Sequence, residues 1–303
     1  RLAALCLRSF KQALGSLRAK VYVILDGCPP DYETLFTQHF ATPDLELIPV
    51  NSIGNRPTFG RQIDVLLNQR ESDLVYFAED DYFYLPGAVA EAARLFDENP
   101  QVGLVFGDVL AVDETGRPIN VLKYGDWGLE ELMSFHIIGQ PAVFMRRSVQ
   151  ARAGMLDVSY HCLLDHHLWL RVAQRAEMVY LPQPLAAARF HPQAKNVAQG
   201  TGFGREAFRI VEWMQTQPGL QEIYRRLSRR IRAGAYRFDA HYLLDSGQPR
   251  AALAAYLRCL SLHPPTALAA WRRILYAAVS LVGDPSRLRS RFVERRKERL
   301  RLP

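Results

Sequence analysis

The stretch DLVYFAEDDYFY, residues 73–84, carries the pattern that decides the fold. Its apolar run at 74–78 contains Val and aromatic residues and predicts a buried strand. Three consecutive acids, Glu79, Asp80 and Asp81, follow at the carboxyl end of that strand. Carboxylates crowded at such a point repel one another unless a cation joins them, and oxygen ligands suit Mg²⁺ or Mn²⁺. We therefore expect a divalent metal site that can hold a diphosphate; alternatively, the acids cap the next helix and face water.

Helices and strands alternate on both sides of this stretch. Strands are predicted at 20–25, 45–50, 102–106, 109–113, 141–145, 178–181 and 185–190, and helices at 2–18, 31–40, 59–69, 163–176 and throughout the chain after 201. This alternation predicts an α/β fold with a mainly parallel sheet flanked by helices. In such sheets ligands lie outside the carboxyl ends of the strands, so Asp26 and the acidic triplet are expected to line one crevice.

Composition limits the class of protein. The 303 residues suffice for one large domain and a small one, with 49% hydrophobic and 23% charged residues. The net charge is +7, and basic residues concentrate after Arg225, which favours an anionic membrane surface or an acidic partner. No nucleic-acid motif accompanies that charge, so we expect no nucleic-acid binding.

The cysteines and the termini bear on location. The four cysteines are scattered, which argues against a zinc site or a disulfide framework and suits a reducing cytosol. We find no signal peptide and no apolar run long enough to span a bilayer, and we expect a cytoplasmic protein, with the basic tail as a peripheral membrane contact. The chain begins inside a helical pattern, so we expect the first strand of the fold to be absent.

Four segments, in this order, resemble the inverting family-two glycosyltransferases of the GT-A fold, which is a Rossmann-like α/β fold. They are VILDG at 23–27, the loop and helix at 51–66, the EDD triplet at 79–81 and LDHHLWLR at 164–171, with RFH at 189–191 as a weaker match. Together they cover residues 1–195. The chain departs from the family where Leu164 replaces a frequent Glu and where EDD replaces a plain Asp-x-Asp. Both departures bear on the nucleotide more than on the reaction class.

The resemblance implies transfer of a sugar from a nucleoside-diphosphate sugar to an acceptor hydroxyl. Asp81 would bind Mn²⁺ or Mg²⁺, which neutralises the departing diphosphate, while Glu79 and Asp80 would orient the metal, its waters or the donor ribose. Asp165 would be the general base that gives inversion by direct displacement. Three alternatives remain open. Glu79 would cap a helix, and Asp165 would be the N-cap of its own helix. His166 or His167 would be a rival base.

Further donor and acceptor contacts are implied at five positions. Asp26 would hydrogen-bond the nucleotide base, Arg61 would pair with a phosphate, and His191 would approach the metal or phosphate. Tyr124 and Trp127 lie in the irregular segment 119–136, where aromatic faces would stack on an acceptor sugar. The structural alternatives are that Asp26 forms a turn, that Arg61 is a surface residue, that His191 lies in a loop, and that Tyr124 and Trp127 pack in the core.

The last third of the chain is predicted to be a separate helical region. We divide the chain into a catalytic domain at 1–200 and a helical region at 201–303, in which 233–266 fits one tetratricopeptide-like unit. A single unit cannot bury its apolar face alone, so it should pack on the catalytic domain or a partner. The stretch 287–302 is basic with interspersed apolar residues, and it would lie on anionic lipid or remain solvated.

Three functions are compatible with the sequence. The first is a metal-dependent glycosyltransferase that builds a bacterial surface glycan or glycoconjugate on a glycan or lipid-linked acceptor. The second is a sugar-phosphate nucleotidyltransferase, although the Gly-rich phosphate loop expected of that class is not visible. The third is a non-catalytic scaffold that binds a partner protein through the helical repeat.

Overall fold

The computed structural model describes residues 2–76, 83–113, 116–189 and 200–281. Its strands are β1 Val21–Asp26, β2 Leu45–Val50, β3 Leu74–Val75, β4 Phe83–Tyr84, β5 Val102–Val112, β6 Pro118–Leu122, β7 Val143–Arg146 and β8 Glu177–Arg189. Its helices are α1 Leu2–Leu14, α2 Asp31–Thr37, α3 Asn55–Asn68, α4 Ala88–Glu98, α5 Leu129–Met133, α6 Arg147–Ala153, α7 Leu164–Ala173, α8 Gly200–Thr216, α9 Gln221–Asp245, α10 Pro249–Leu262, α11 Pro264–Leu268 and α12 Trp271–Val279. The expected α/β class, with helices after residue 201, is confirmed.

Strand β5 is the centre of the larger sheet and separates two hydrophobic cores. Its side chains alternate between faces, as the pleat of a strand requires. Leu104 and Phe106 belong to a core shared with the helices on one face, while Val105 and Val109 belong to a core with α1 and α4 on the other. A strand buried on both faces is apolar almost throughout, which is why this segment reads as a continuous hydrophobic run.

The larger sheet is mixed. Its order is β3-β7-β5-β8-β4, with β6 also paired to β5. Strand β5 pairs with β8 in parallel, whereas β3–β7, β4–β8, β5–β6 and β5–β7 are antiparallel. The alternation of strands and helices predicted a mainly parallel sheet. The larger sheet has more antiparallel pairs among the described strands than this prediction implies.

Two pairs of predicted strands are each one strand. The segments at 102–106 and 109–113 join in β5, and those at 178–181 and 185–190 join in β8. The register of the β5–β8 pair shifts at Gly107 and Asp108, so the break in the apolar pattern is a bulge and not a strand end. A Cβ on Gly107 would lie 2.5 Å from the Leu185 side chain, which explains the glycine there.

Helix α3 begins earlier than predicted. It starts at Asn55 and includes Pro57 in its first turn, whereas the sequence pattern predicted a helix only from 59. Proline is tolerated in the first turn of a helix, where its missing N–H has no partner to lose.

The small sheet of β1 and β2 stands apart from the larger sheet. The two strands are parallel, and a cavity of about 750 Å³ lies between β1 and β3. At one end of it the Tyr22 hydroxyl donates a hydrogen bond to Glu71 at 2.9 Å. In the described part of the chain, β1 pairs only with β2 and β3 only with β7, so no strand pairing joins the small sheet to the larger one between β1 and β3.

The helical region packs directly on the α/β part. Phe203 and Ile210 of α8 and Phe238 of α9 are buried in the same core as Leu104 and Phe106. A Cβ on Gly234 of α9 would lie 2.1 Å from the Ser134 carbonyl oxygen. Only a glycine allows the helix to approach the segment after α5 so closely. The two parts therefore share one core, as expected for a helical unit that cannot bury its face alone.

Helices α9 and α10 form a hairpin around the turn at 246–248. The tetratricopeptide-like unit predicted at 233–266 covers the second half of α9 and all of α10, and it stays a prediction. None of the helices in the described segments is both long and apolar enough to cross a lipid bilayer.

We expect Gly234→Ala to destabilise the protein by about 1–3 kcal/mol, because the added methyl meets backbone that cannot move independently. Gly60→Ala is the matched control, since the exposed Gly60 lies in α3 with nothing within 4 Å of the added Cβ. It should be neutral or stabilise by up to ~1 kcal/mol. Chemical denaturation of both variants measures the difference; equal stabilities would contradict the close helix approach.

Candidate functional site

Asp165 lies in the first turn of α7 and has the environment of a group that can take up a proton near neutral pH. The residue is half-buried, and its Oδ1 accepts the backbone N–H of His166 at 2.7 Å. Burial raises the pKa of its carboxyl to about 6, although the N–H groups of His166 and Asp165 act in the opposite direction. A base with a pKa close to the ambient pH is well suited to proton transfer.

The charge of Asp165 acts on two tyrosines. Burial raises the pKa of Tyr124 to about 12, and the negative charges of Asp108 and Asp165 add to the rise. Burial also raises the pKa of Tyr242 on α9, again with a contribution from Asp165. Both phenols therefore keep their protons at neutral pH, and both lie within electrostatic range of the aspartate.

Tyr124 and Trp127 form one aromatic group at the edge of the core. Their ring centroids are 5.5 Å apart, and the Trp127 ring stacks on His136 at 4.9 Å. The His136 Nε2 lies 3.3 Å from Nη1 of Arg237 on α9. Both aromatics are half-buried and pack against the core, so part of each ring remains accessible to a ligand.

The two histidines after Asp165 are packed. His166 is fully buried against Phe135, with centroids 5.6 Å apart, and His167 lies between Tyr160 and Trp213. Burial lowers the pKa of His166 to about 3 and that of His167 to about 4. Both rings are neutral at physiological pH, and packing accounts for their positions.

Asp108 was not identified from the sequence. It is 3% exposed, and its Oδ1 accepts the Tyr124 N–H at 3.0 Å and the Tyr180 hydroxyl at 2.7 Å. It therefore anchors the irregular segment that carries Tyr124 and Trp127 to β5 and β8. The available signal was a lone carboxylate inside an apolar strand, which is costly unless hydrogen-bonded.

Asp26 ends β1, as predicted, and holds the loop before α3. Its carboxylate accepts the N–H groups of Ile53 at 2.7 Å and Gly54 at 2.9 Å, and the Thr58 hydroxyl at 3.1 Å. Partial desolvation raises its pKa, but these hydrogen bonds prevail and the net shift is downward. Arg61 is exposed on α3, the helix that Asp26 holds.

The predicted metal motif and the late basic motif cannot be placed. Glu79, Asp80, Asp81 and His191 lie outside the described residues. Within the ranges that are described, no three His, Cys, Asp or Glu side chains gather closely enough to hold a metal ion. The flanking residues Tyr76 and Tyr84 pack edge to face, with centroids 5.8 Å apart.

The structure thus forms two groups from the predicted residues. One is the aromatic group of Tyr124 and Trp127 with His136 and Arg237, and the charge of Asp165 acts on Tyr124 and on Tyr242. The other consists of Asp26 at the carboxyl end of β1 and Arg61 on α3, the helix whose preceding loop Asp26 holds. Sequence reasoning missed Arg237 and Tyr242 because nothing local in a helix far along the chain marks them as partners of His136 and Asp165, respectively.

Comparisons with known proteins support the fold. No protein-family model matches the chain. Uncharacterized protein MT1568 of Mycobacterium tuberculosis is 25% identical over 240 residues, which cover 70% of this chain and 71% of that protein. Among solved structures, S. aureus TarS has a TM-score of 0.54 at 16% identity, over 92% of this chain and 84% of the other. Mannosyltransferase PcManGT of Pyrobaculum calidifontis, in complex with GDP-Man and Mn²⁺, has a TM-score of 0.52 at 14% identity, over 92% and 81%. The chain is therefore similar in fold to these proteins.

We expect Asp165→Asn to raise the unfolding temperature at pH 8. The folded carboxyl has a pKa of about 6, above its usual value of 3.8, so ionisation costs stability as pH rises through that window. The amide avoids this cost, which we place at roughly 1–3 kcal/mol. The difference should shrink towards zero as the pH falls below 3.8, where the carboxyl becomes protonated in both states. Thermal unfolding from pH 3.5 to 8 measures it; a variant less stable at pH 8 would mean that the carboxylate is structural.

Proposed function

We propose that this protein is a glycosyltransferase that moves a sugar from a nucleoside-diphosphate sugar to an acceptor hydroxyl. The observation that carries the proposal is Asp165, a half-buried carboxylate whose burial raises its pKa and whose charge acts on Tyr124 of the Tyr124–Trp127 aromatic pair. The fold similarity to a mannosyltransferase in complex with GDP-Man and Mn²⁺ supports it, as does the order of the four sequence segments.

Asp165 is proposed as the general base. The acceptor hydroxyl loses its proton to the carboxylate as its oxygen attacks the anomeric carbon, and the nucleoside diphosphate leaves from the opposite face. Such a direct displacement inverts the anomeric configuration. Tyr124 and Tyr242, whose raised pKa values keep them uncharged at neutral pH, cannot compete for that proton.

The acceptor is proposed to bind against Tyr124 and Trp127. Both residues are half-buried, so the part of each that solvent reaches can contact a sugar, and Asp108 fixes the segment that carries them. Stacking next to the base brings the acceptor hydroxyl within reach of Asp165, which is the positioning that a two-substrate transfer needs.

The donor is proposed to bind over the carboxyl end of β1. Because three donors already occupy the Asp26 carboxylate, we assign it mainly to shaping the loop at 52–54, which borders the nucleotide. Arg61, exposed on the following helix, is free to approach a phosphate. His191 is proposed as a further phosphate contact.

Mn²⁺ or Mg²⁺ is the proposed cofactor, with Asp81 as its ligand and Glu79 and Asp80 as supporting acids. The donor set fits a hard divalent cation, because all three groups are carboxylates. When bound, such an ion supplies charge neutralisation for the diphosphate leaving group.

The biological setting is also a proposal. We place the protein in the cytoplasm, at a peripheral membrane contact made by its basic tail, in the synthesis of a bacterial surface glycan or glycoconjugate. The division into a catalytic domain at 1–200 and a helical region with one tetratricopeptide-like unit belongs to the same proposal.

Donor binding is tested by a thermal-shift screen of UDP-, GDP- and dTDP-sugars with and without Mn²⁺. At a concentration of about 100 times the dissociation constant, a donor should add ~2.7 kcal/mol of stability, and the shift should need the metal. Asp81→Asn should remove the metal-dependent part, whereas Asp64→Asn, an exposed carboxylate on α3, should keep it. Absence of any shift with the wild-type chain would favour a non-catalytic scaffold.

The general base is tested by turnover. Asp165→Asn should lower kcat by about 10²–10⁴-fold while leaving the donor-induced thermal shift unchanged, because the amide cannot accept the proton. The acidic limb of the wild-type pH profile should fall near pH 6. Full turnover in Asp165→Asn, with Asp64→Asn as reference, would exclude this residue as the base.

A further inference from the structure

The loop before α7 is held by a carboxylate from a distant helix. Glu206 on α8 accepts the backbone N–H groups of His161 at 2.7 Å, Cys162 at 2.8 Å and Leu163 at 2.9 Å. These donors lie at the start of a helix whose N-cap residue, Leu163, supplies no capping side chain. The negative charge also lies at the favourable end of the α7 dipole. Glu206 therefore fixes the turn that leads into α7 and satisfies the backbone N–H of its N-cap residue.

Two more side chains on the same face of α8 also contact the loop before α7 or α7 itself. Arg209 donates hydrogen bonds to the Ser159 carbonyl at 2.9 Å and the Ser159 hydroxyl at 2.6 Å, and its guanidinium lies 4.2 Å from the Tyr160 ring centroid. Trp213 contacts the ring of His167 edge to face, with centroids 4.4 Å apart. Residues at such spacings share one helix face. We call Glu206, Arg209 and Trp213 the α8 clamp.

Asp165 depends on this clamp for its position. It follows Leu163 by two residues, and the hydrogen bonds of its carboxylate are to the N–H groups of its own turn. Its position is thus the position of the first turn of α7, whose preceding turn α8 fixes. Among the described residues, the ionisable side chains that interact electrostatically with Asp165 are Tyr124 from the segment before α5, Tyr242 from α9 and Glu206 from α8.

We propose that Glu206 is a positioning residue for sugar transfer and that, through the α8 clamp, the helical region is a working part of the transfer site. This inference rests on the proposed function of Asp165. The helical region would then position the general base, whether or not its outer surface also binds a partner.

Glu206→Gln in the full chain is the test, with Glu212→Gln as the matched control, because Glu212 is exposed on the same helix. Glu206→Gln should lower kcat by about 10–100-fold, since small displacements of a reacting group are costly. The donor KM should change by less than about twofold, because the donor binds elsewhere. The acidic limb of the pH profile should move slightly to lower pH, because burial remains the main cause of the raised pKa of Asp165 and only the added contribution of the Glu206 charge is removed. Glu212→Gln should match the wild type, and identical kcat values in the two variants would overturn the proposal.

A second readout does not require turnover. Amide hydrogen exchange at 161–167 should accelerate in Glu206→Gln and not in Glu212→Gln, with α9 as an internal reference. If Glu206→Gln fails to fold, Arg209→Lys serves instead, since it keeps the charge but loses the paired contacts to Ser159. Unchanged exchange would overturn the clamp even if sugar transfer is absent. If exchange is altered in Glu206→Gln but the wild-type chain binds no nucleotide sugar, the clamp stands and the proposed function is refuted.

Discussion

The pairing of β5 with β8 is the contact on which the rest of the structure depends. The two strands run parallel from Val102–Glu177 to Val112–Arg189, and β5 forms part of both hydrophobic cores. A strand buried on both faces must satisfy every backbone group through its neighbours, so the sheet is built outward from it. The bulge at Gly107 and Asp108 then places one buried carboxylate where it can hold the Tyr124 segment. The candidate acceptor surface is thus fixed by an irregularity of the central strand.

The second constraint is the close packing of helices on this sheet. Gly234 lets α9 meet the Ser134 carbonyl, and Arg237 one turn later donates to the Phe135 carbonyl at 3.0 Å. Arg237 is half-buried, and burial lowers its pKa without removing its charge. Burial is the main cause of the raised pKa of the Asp165 carboxyl, and the charge of Glu206 on α8 adds to it, so this pKa is a property of the assembled core and not of α7 alone. An ionised group in such a place costs stability, and proteins commonly retain that cost at functional sites.

Much of the fold was predictable because it follows from local pattern. The apolar runs gave β1 and β2 at nearly their observed bounds, and the helical periodicity gave α1, α7 and the helices after 201. The errors have physical causes. A single polar residue in an apolar strand looks like a strand end, so β5 was divided at Asp108, although a tyrosine hydroxyl and a backbone N–H satisfy that residue. Strand direction was harder to predict than strand position, because antiparallel pairing of β7 and β4 depends on neighbours remote in sequence.

The sequence by itself determined the α/β class and the placement of Asp26 at a strand end and of Asp165 at the start of a helix, whereas it left open whether the helical region packs on the rest of the chain or on a partner. These features depend on residue types at fixed spacings along the chain. Only the tertiary structure decided which residues surround Asp165, how its pKa is shifted, and that Glu206 holds the start of α7. Those properties arise from side chains 41 or more residues apart in sequence, such as Asp165 with Tyr124 and Tyr242. Burial and Coulomb interactions depend on distance in space, which a one-dimensional pattern does not contain.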